Sequence, residues 1–369
     1  MLKKPELRPA RPYFSSGPCA MPPGWTPEWI DQRILGRSHR SALGKERLQR
    51  CIDLMRETLQ LPDTHRIGIV PASDTGAFEM AMWSMLGAKP VTALAWESFG
   101  EGWVTDAVKQ LRLDPNVLRA GYGELPDLGQ VDWSHDVLFT WNGTTSGVRV
   151  PDGDWIAPDR EGLSFADATS AVFAYDLPWD RIDVATFSWQ KVLGGEGAHG
   201  VLILGPRAVE RLEAFTPDRP LPKIFRLTKS GKLNEAIFTG ETINTPSMLA
   251  VEDAIAALEW AKRVGGLQGL MARTDANAAA LDRIVTEHHW LGYLAQTPAI
   301  RSKTSVCLTV AGADPKRMAK LLEQEAAAFD IGGYRDAPPG LRIWCGATVE
   351  TADVEMLGPW LDWAWEQSR

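Results

Sequence analysis

A repeated unit governs what this chain can fold into. It is a short, β-rich apolar run, then a turn of small or polar residues, then a stretch with helical spacing. The runs are "RIGIV" (66–70), "VTALAW" (91–96), "DVLFTW" (136–141), "GLSFAD" (162–167), "IDVATFS" (182–188) and "GVLILG" (200–205). Helical periodicity precedes the first run, at Leu43, Leu48, Ile52, Met55 and Leu59. It returns after each of the first two runs, in "PASDTGAFEMAMWSML" (71–86) and "GEGWVTDAVKQL" (100–111). Strands alternating with helices predict an α/β domain with a mostly parallel mixed sheet between helices. In such sheets ligands bind at the carboxyl ends of the strands, so the residues that end each run are the first to inspect.

The texture changes near residue 247. A long helix "SMLAVEDAIAALEWAKRVGG" closes on Gly265–Gly266, and a second helix runs to about His288. A strand "SVCLTV" (305–310), a helix (314–327), a segment "GLRIWC" (340–345) and a last amphipathic helix (350–367) follow. This predicts a smaller α+β C-terminal domain. Six prolines by Pro23 make the N-terminus an extended arm. The expected division is a large domain over 17–255 and a small, substrate-closing domain over 256–369 joined by the arm 1–16.

Bulk properties narrow the function. A formal net charge of −8 argues against nucleic acid or an anionic membrane as partner, so any bound anion is held by local cations. The four cysteines, Cys19, Cys51, Cys307 and Cys345, form no CxxC pair, which leaves no zinc motif or disulfide framework and fits a reducing compartment. No apolar run is long enough to span a bilayer, and "MLKKPELRPARPYF" lacks the apolar core of a secretory signal. The expectation is a cytoplasmic enzyme without a metal. The sixteen Trp are read as core and interface anchors.

Several run ends carry chemistry-bearing residues: Ser73, Asp74 and Thr75, then Trp103, Thr144, Asp167 and Lys191. Each has an ordinary reading. Ser, Asp or Thr opening a helix is an N-cap, an Asp ending a strand forms a turn, and a lysine is a surface charge. Together they match what a pyridoxal phosphate enzyme needs. Its lysine forms an imine with the aldehyde, and its carboxylate keeps the pyridine nitrogen protonated. A helix N-terminus holds the phosphate, and an aromatic face covers the ring. His199 reads as structural, His288 and His289 as a helix end, and Cys307 as core.

Longer motifs make the pattern specific. "FSSGP" (14–18), "SHRS" (38–41), "DATSAVFAYDLPWDRIDVATFSWQKVLGGEG" (167–197) and "INTPS" (243–247) occur in order along the chain. By these the chain resembles the phosphoserine aminotransferases, class V members of the fold-type-I pyridoxal phosphate transferases. The resemblance implies that Lys191 carries the cofactor and moves the proton between Cα and C4′, and that Asp167 pairs with the ring nitrogen. It further implies cofactor contacts from Gln190, Thr144, Ser73, Asp74 and Thr75. Trp103 is the stacking aromatic, with Phe99 as the alternative. Asn244 and Thr245 reach the cofactor phosphate from the neighbouring subunit of a homodimer.

The implied substrates are L-glutamate and 3-phosphohydroxypyruvate, in a ping-pong transfer that serves serine biosynthesis. A phosphorylated four-carbon analogue would extend the same chemistry to pyridoxine biosynthesis. Arginine suits carboxylate and phosphate alike, because its planar fork donates two hydrogen bonds. By the resemblance, His39, Arg40 and Arg335 face the substrate phosphate, while Arg342 and Ser16 face its carboxylate. The sequence departs from the family at Tyr334, where a His commonly precedes the second phosphate arginine. The rival readings are another class V activity, such as a serine–glyoxylate-type aminotransferase, and a non-catalytic protein that keeps the fold.

Overall fold

The computed structural model describes residues 2–369. In chain order its strands are β1 (Arg66–Pro71), β2 (Val91–Ala95), β3 (Asn116–Arg119), β4 (Asp136–Thr140), β5 (Asn142–Gly143), β6 (Val148–Arg149), β7 (Ser164–Asp167), β8 (Val184–Ser188), β9 (His199–Leu204), β10 (Thr228–Lys229), β11 (Lys232–Leu233), β12 (Leu291–Tyr293), β13 (Ser305–Val310) and β14 (Leu341–Trp344). The α-helices are α1 (Ala42–Leu59), α2 (Ser73–Met85), α3 (Ser98–Thr105), α4 (Pro206–Ala214), α5 (Met248–Arg263), α6 (Gly266–Glu287), α7 (Pro315–Gln324) and α8 (Thr351–Ser368).

Seven strands form one sheet in the order β1-β9-β8-β7-β4-β2-β3. β9 is antiparallel to both β1 and β8, and every other pair is parallel. Alternate residues of one strand feed two separate apolar layers. Val137 and Phe139 of β4 point into the layer that holds Leu48 and Val251, and Leu138 points into the layer that holds Phe78 and Leu202. A sheet buried on both faces explains why its strands read as nearly continuous apolar runs. The expected mixed, mostly parallel α/β sheet is therefore found, with all six runs in it.

β3, which the sequence reading missed, is a sheet edge with partly exposed residues, so it lacks the apolar signal of its neighbours. The C-terminal elements form the three-stranded antiparallel sheet β12-β13-β14, with α7 and α8 nearby in sequence. The N-terminal arm is bonded to these elements. Phe329 N–H donates to Pro12 O at 2.8 Å and Trp344 N–H to Phe14 O at 3.0 Å. Trp360 Nε1 donates to Leu7 O at 2.7 Å. Helix α5 runs unbroken through residues 255 and 256.

One local expectation is corrected. The Ser73–Thr75 cluster does not cap α2 through a side chain. The N-cap is Ala72, with no side-chain hydrogen bond, and Ala72 and Ser73 have φ of 68° and 51°. Two successive left-handed residues curl the backbone where β1 meets α2, a conformation that costs a non-glycine residue energy and is found where a ligand must be held. Gly200 makes room for it: a Cβ there would lie 2.1 Å from Ser73 O.

Candidate active site

Parallel strands end at one edge, and the polar residues that follow them meet there. β1 delivers Ser73, Asp74 and Thr75, β4 delivers Asn142 and Thr144, β7 ends on Asp167, and the turn after β8 carries Gln190 and Lys191. Trp103 and Phe99 of α3 close the same cavity. Every cofactor residue expected from the sequence, apart from Asn244 and Thr245, lines this one space.

Lys191 is held inside it. Its Nζ donates to Ser16 O at 2.6 Å. Burial lowers its pKa most, the Arg342 charge adds to the lowering, and Cys19, Asp167 and Asp74 oppose it. Ammonium is thus disfavoured where a free amine is needed. The chain bends around this group through glycine. A Cβ on Gly17 would lie 2.3 Å from Nζ, and one on Gly194, at φ +64°, would lie 2.0 Å from Ala20 O.

Asp167 is 4% exposed and fixed by three donors. Trp103 Nε1 donates to its Oδ2 at 3.0 Å, while Thr169 N and Oγ1 donate to its Oδ1 at 3.1 and 2.6 Å. The turn-forming reading of an Asp at a strand end therefore holds beside the functional one. Trp103 is buried, with its ring 4.6 Å from that of Phe78, whereas Phe99 is exposed and packs 5.9 Å from Tyr334. Thr144 Oγ1 donates to Ser170 Oγ at 2.9 Å. Asp74 is buried, and burial together with the nearby Asp167 carboxylate pushes its pKa well above the usual carboxylate range.

The buried polar atoms Asp74 Oδ1, Thr140 Oγ1, Thr186 Oγ1, Ser188 Oγ and Gln190 Oε1 have no hydrogen-bond partner. So many orphans along one set of strand ends are costly unless a polar ligand meets them. A lysine amine, an anchored carboxylate and a helix N-terminus around such a cavity fit a phosphorylated aromatic aldehyde.

Arg342 projects from β14, its Nε buried without a partner and its Cζ 5.5 Å from the Tyr334 ring. Among the described residues no carboxylate forms an ion pair with it. Ser16 is buried beside Lys191. Arg335 is 80% exposed, pairs with Asp336 at 3.4 Å and also lies over Tyr334. His39 and Arg40 lie elsewhere, in a second pocket with Lys45 and Gly240–Thr242. Asn244 and Thr245 follow closely on that segment and are exposed. The cofactor cavity of this chain thus lacks these four residues.

Sequence reasoning missed Gly17, Thr169 and Ser305. Thr169 had a local signal, since Asp-x-Thr favours an Asx turn. The other two act through contacts with distant residues and had none. His199 is structural, as expected: its Nε2 accepts from Ser247 N–H at 3.1 Å, and burial lowers its pKa to about 4. His288 caps the end of α6 and bonds Asp362, and Cys307 is buried in β13.

The sheet and its lysine–aspartate cavity define a protein of the fold-type-I pyridoxal phosphate transferase architecture. No protein-family model matches the sequence. The chain is 60% identical over 365 residues to the phosphoserine aminotransferase of Methanosarcina barkeri, covering 98% of this chain and 99% of the relative. It is 59% identical to that of Methanosarcina mazei, with the same coverage. The solved phosphoserine aminotransferase of Cytophaga hutchinsonii superposes with a TM-score of 0.85 at 22% identity, over 95% of this chain and 98% of that one. The chain belongs to the phosphoserine aminotransferase family.

Proposed function

We propose that this enzyme binds pyridoxal 5′-phosphate and transfers the amino group of L-glutamate to 3-phosphohydroxypyruvate, giving O-phospho-L-serine and 2-oxoglutarate. The observation that carries the reading is the buried Lys191 amine sharing one cavity with the anchored Asp167 carboxylate and the N-terminus of α2. A solved relative from Trichomonas vaginalis is described as pyridoxal-phosphate-bound phosphoserine aminotransferase.

When bound, the cofactor supplies an aldehyde that captures amines and a ring that accepts an electron pair. The chain supplies everything else. Asp167, held in place by Trp103 and Thr169, would pair with the ring nitrogen. Asp74 and Thr75 would offer the N-terminal N–H groups of α2 to the phosphate, with Ser73, whose own N–H is taken by Ala198 O, and the Gln190 side chain beside them. Trp103, buried in the cavity wall, would cover the ring and exclude water. Lys191 Nζ, kept unprotonated by burial and Arg342, would take the Cα proton of the amino acid and return it to the carbon on the far side of the amino nitrogen. Arg342 binds the carboxylate shared by donor and acceptor, with Ser16 beside it. The second half-reaction runs the same steps in reverse with the oxo acid, which makes the kinetics ping-pong.

The phosphate side is completed by a second subunit. His39 and Arg40 with Asn244 and Thr245 lie away from the Lys191 of their own chain, so in a homodimer they serve the partner's cavity. Arg335 meets the same phosphate, with Tyr334 holding both arginines. The test is a pair of half-reactions followed by cofactor absorbance. Glutamate should bleach the Lys191-bound form, and 3-phosphohydroxypyruvate, but not pyruvate, should restore it at low concentration. Equal restoration by pyruvate would refute the phosphate specificity.

A further inference from the structure

The hydroxyl of Ser305 is fully buried where β13 meets the cofactor turn, and it joins two residues far apart in sequence. It lies 2.7 Å from Thr144 O and 3.1 Å from Ser16 Oγ. One hydroxyl has one proton, so Ser305 donates to the Thr144 carbonyl and accepts from Ser16. Ser16 in turn receives the Lys191 amine on its carbonyl, 2.6 Å away.

Ser305 also sits on the strand beside the substrate arginine. β13 pairs with β14 so that Cys307 lies opposite Arg342. The turn that carries Thr144 is pressed onto the same strand: Ser302 N–H donates to Gly147 O at 2.8 Å, and a Cβ on Gly147 would lie 2.9 Å from Cys307 N. β13 is thus bonded to the cofactor turn, to the residue that holds Lys191, and to the strand of Arg342.

We propose that Ser305 is a positioning residue, which locks Thr144 and Ser16 to the Arg342 strand and so fixes the cofactor and the Lys191 amine against the substrate carboxylate. The proposal rests on the reading of the cavity as a pyridoxal phosphate site. Ser305→Ala removes the donor to Thr144 O and the acceptor for Ser16, both buried, and lets the two segments drift apart.

The experiment titrates cofactor-free protein with pyridoxal 5′-phosphate, then follows the absorbance of the Lys191-bound cofactor against pH. Ser305→Ala should weaken cofactor binding about three- to tenfold and move the pH midpoint by about half a unit to one unit, the range for loss of one neutral hydrogen bond. Ser305→Cys, which keeps the volume and weakens the donor, should move both in the same direction by less, and serves if alanine costs too much stability. Ser84→Ala removes an equally buried hydroxyl bond, to Phe225 O, at the end of α2 remote from the cavity, and Ser84 bonds neither Thr144 nor Ser16. It should lower Tm and leave both cofactor readings at wild-type values. Wild-type readings in both Ser305 variants, or an equal shift in Ser84→Ala, would overturn the proposal. Absence of the Lys191-bound absorbance in the wild type would overturn the cofactor reading itself, and the proposal with it.

Discussion

Gly17→Ala separates backbone strain from a clash with the catalytic amine. The new methyl would lie 2.3 Å from Lys191 Nζ and 3.0 Å from its Cε, and the backbone φ at Gly17 is +147°. The backbone part should cost about 1–3 kcal/mol, because side chains are rarely tolerated in that region. The clash is relieved by moving the tip of Lys191, which breaks its bond to Ser16 O and costs about 1 kcal/mol more. Urea unfolding of the cofactor-free protein measures the sum. The same substitution made in Lys191→Ala isolates the parts, since only the backbone cost survives there. The cycle should give a coupling of about 1 kcal/mol, and Gly17→Ala alone should slow capture of the cofactor aldehyde. Additivity within about 0.5 kcal/mol would refute the claim that Gly17 is shaped around the lysine.

Other perturbations read different parts of the site. Asp74 has a raised folded-state pKa, so the native protein keeps a proton that the unfolded chain releases. Its contribution to stability is therefore full below the ordinary carboxylate pKa and falls by about 1.4 kcal/mol per pH unit above it, until the folded group ionises. Asp74→Asn should flatten that decline in cofactor-free protein as the pH rises above the ordinary carboxylate pKa of about 4, and parallel profiles would contradict it. Trp103→Phe keeps an aromatic face but removes the donor to Asp167, and should lose about 1.5–3 kcal/mol in urea unfolding. Arg342→Ala should raise KM for glutamate and for phosphohydroxypyruvate by about tenfold or more, whereas Arg40→Ala should raise it mainly for the phosphorylated acid.

Much of this was legible in the sequence because it is local. Strands buried on both faces are written as apolar runs, and the polar residue that ends each run marks the ligand edge. Asp167 and Lys191 were found in this way, 24 positions apart yet in one cavity. β3 was illegible because an exposed edge strand lacks that signature. The backbone curl at Ala72 and Ser73 was misread as a capping cluster, since Ser, Asp and Thr serve both purposes. Gly17 and Ser305 depend on segments that meet only after folding. The separation of His39 and Arg40 from Lys191 was equally invisible, because motif order does not say which cavity a residue serves.

The central claim is that Lys191 holds the cofactor and moves the proton. Its most direct test is the absorbance of purified protein given pyridoxal 5′-phosphate, followed through one cycle of glutamate and then 3-phosphohydroxypyruvate. The wild type should turn yellow, bleach with the amino acid and recover with the oxo acid, while Lys191→Ala gains no imine absorbance at any step. A colourless wild type, or a Lys191→Ala protein that bleaches and recovers at the wild-type rate, would contradict it.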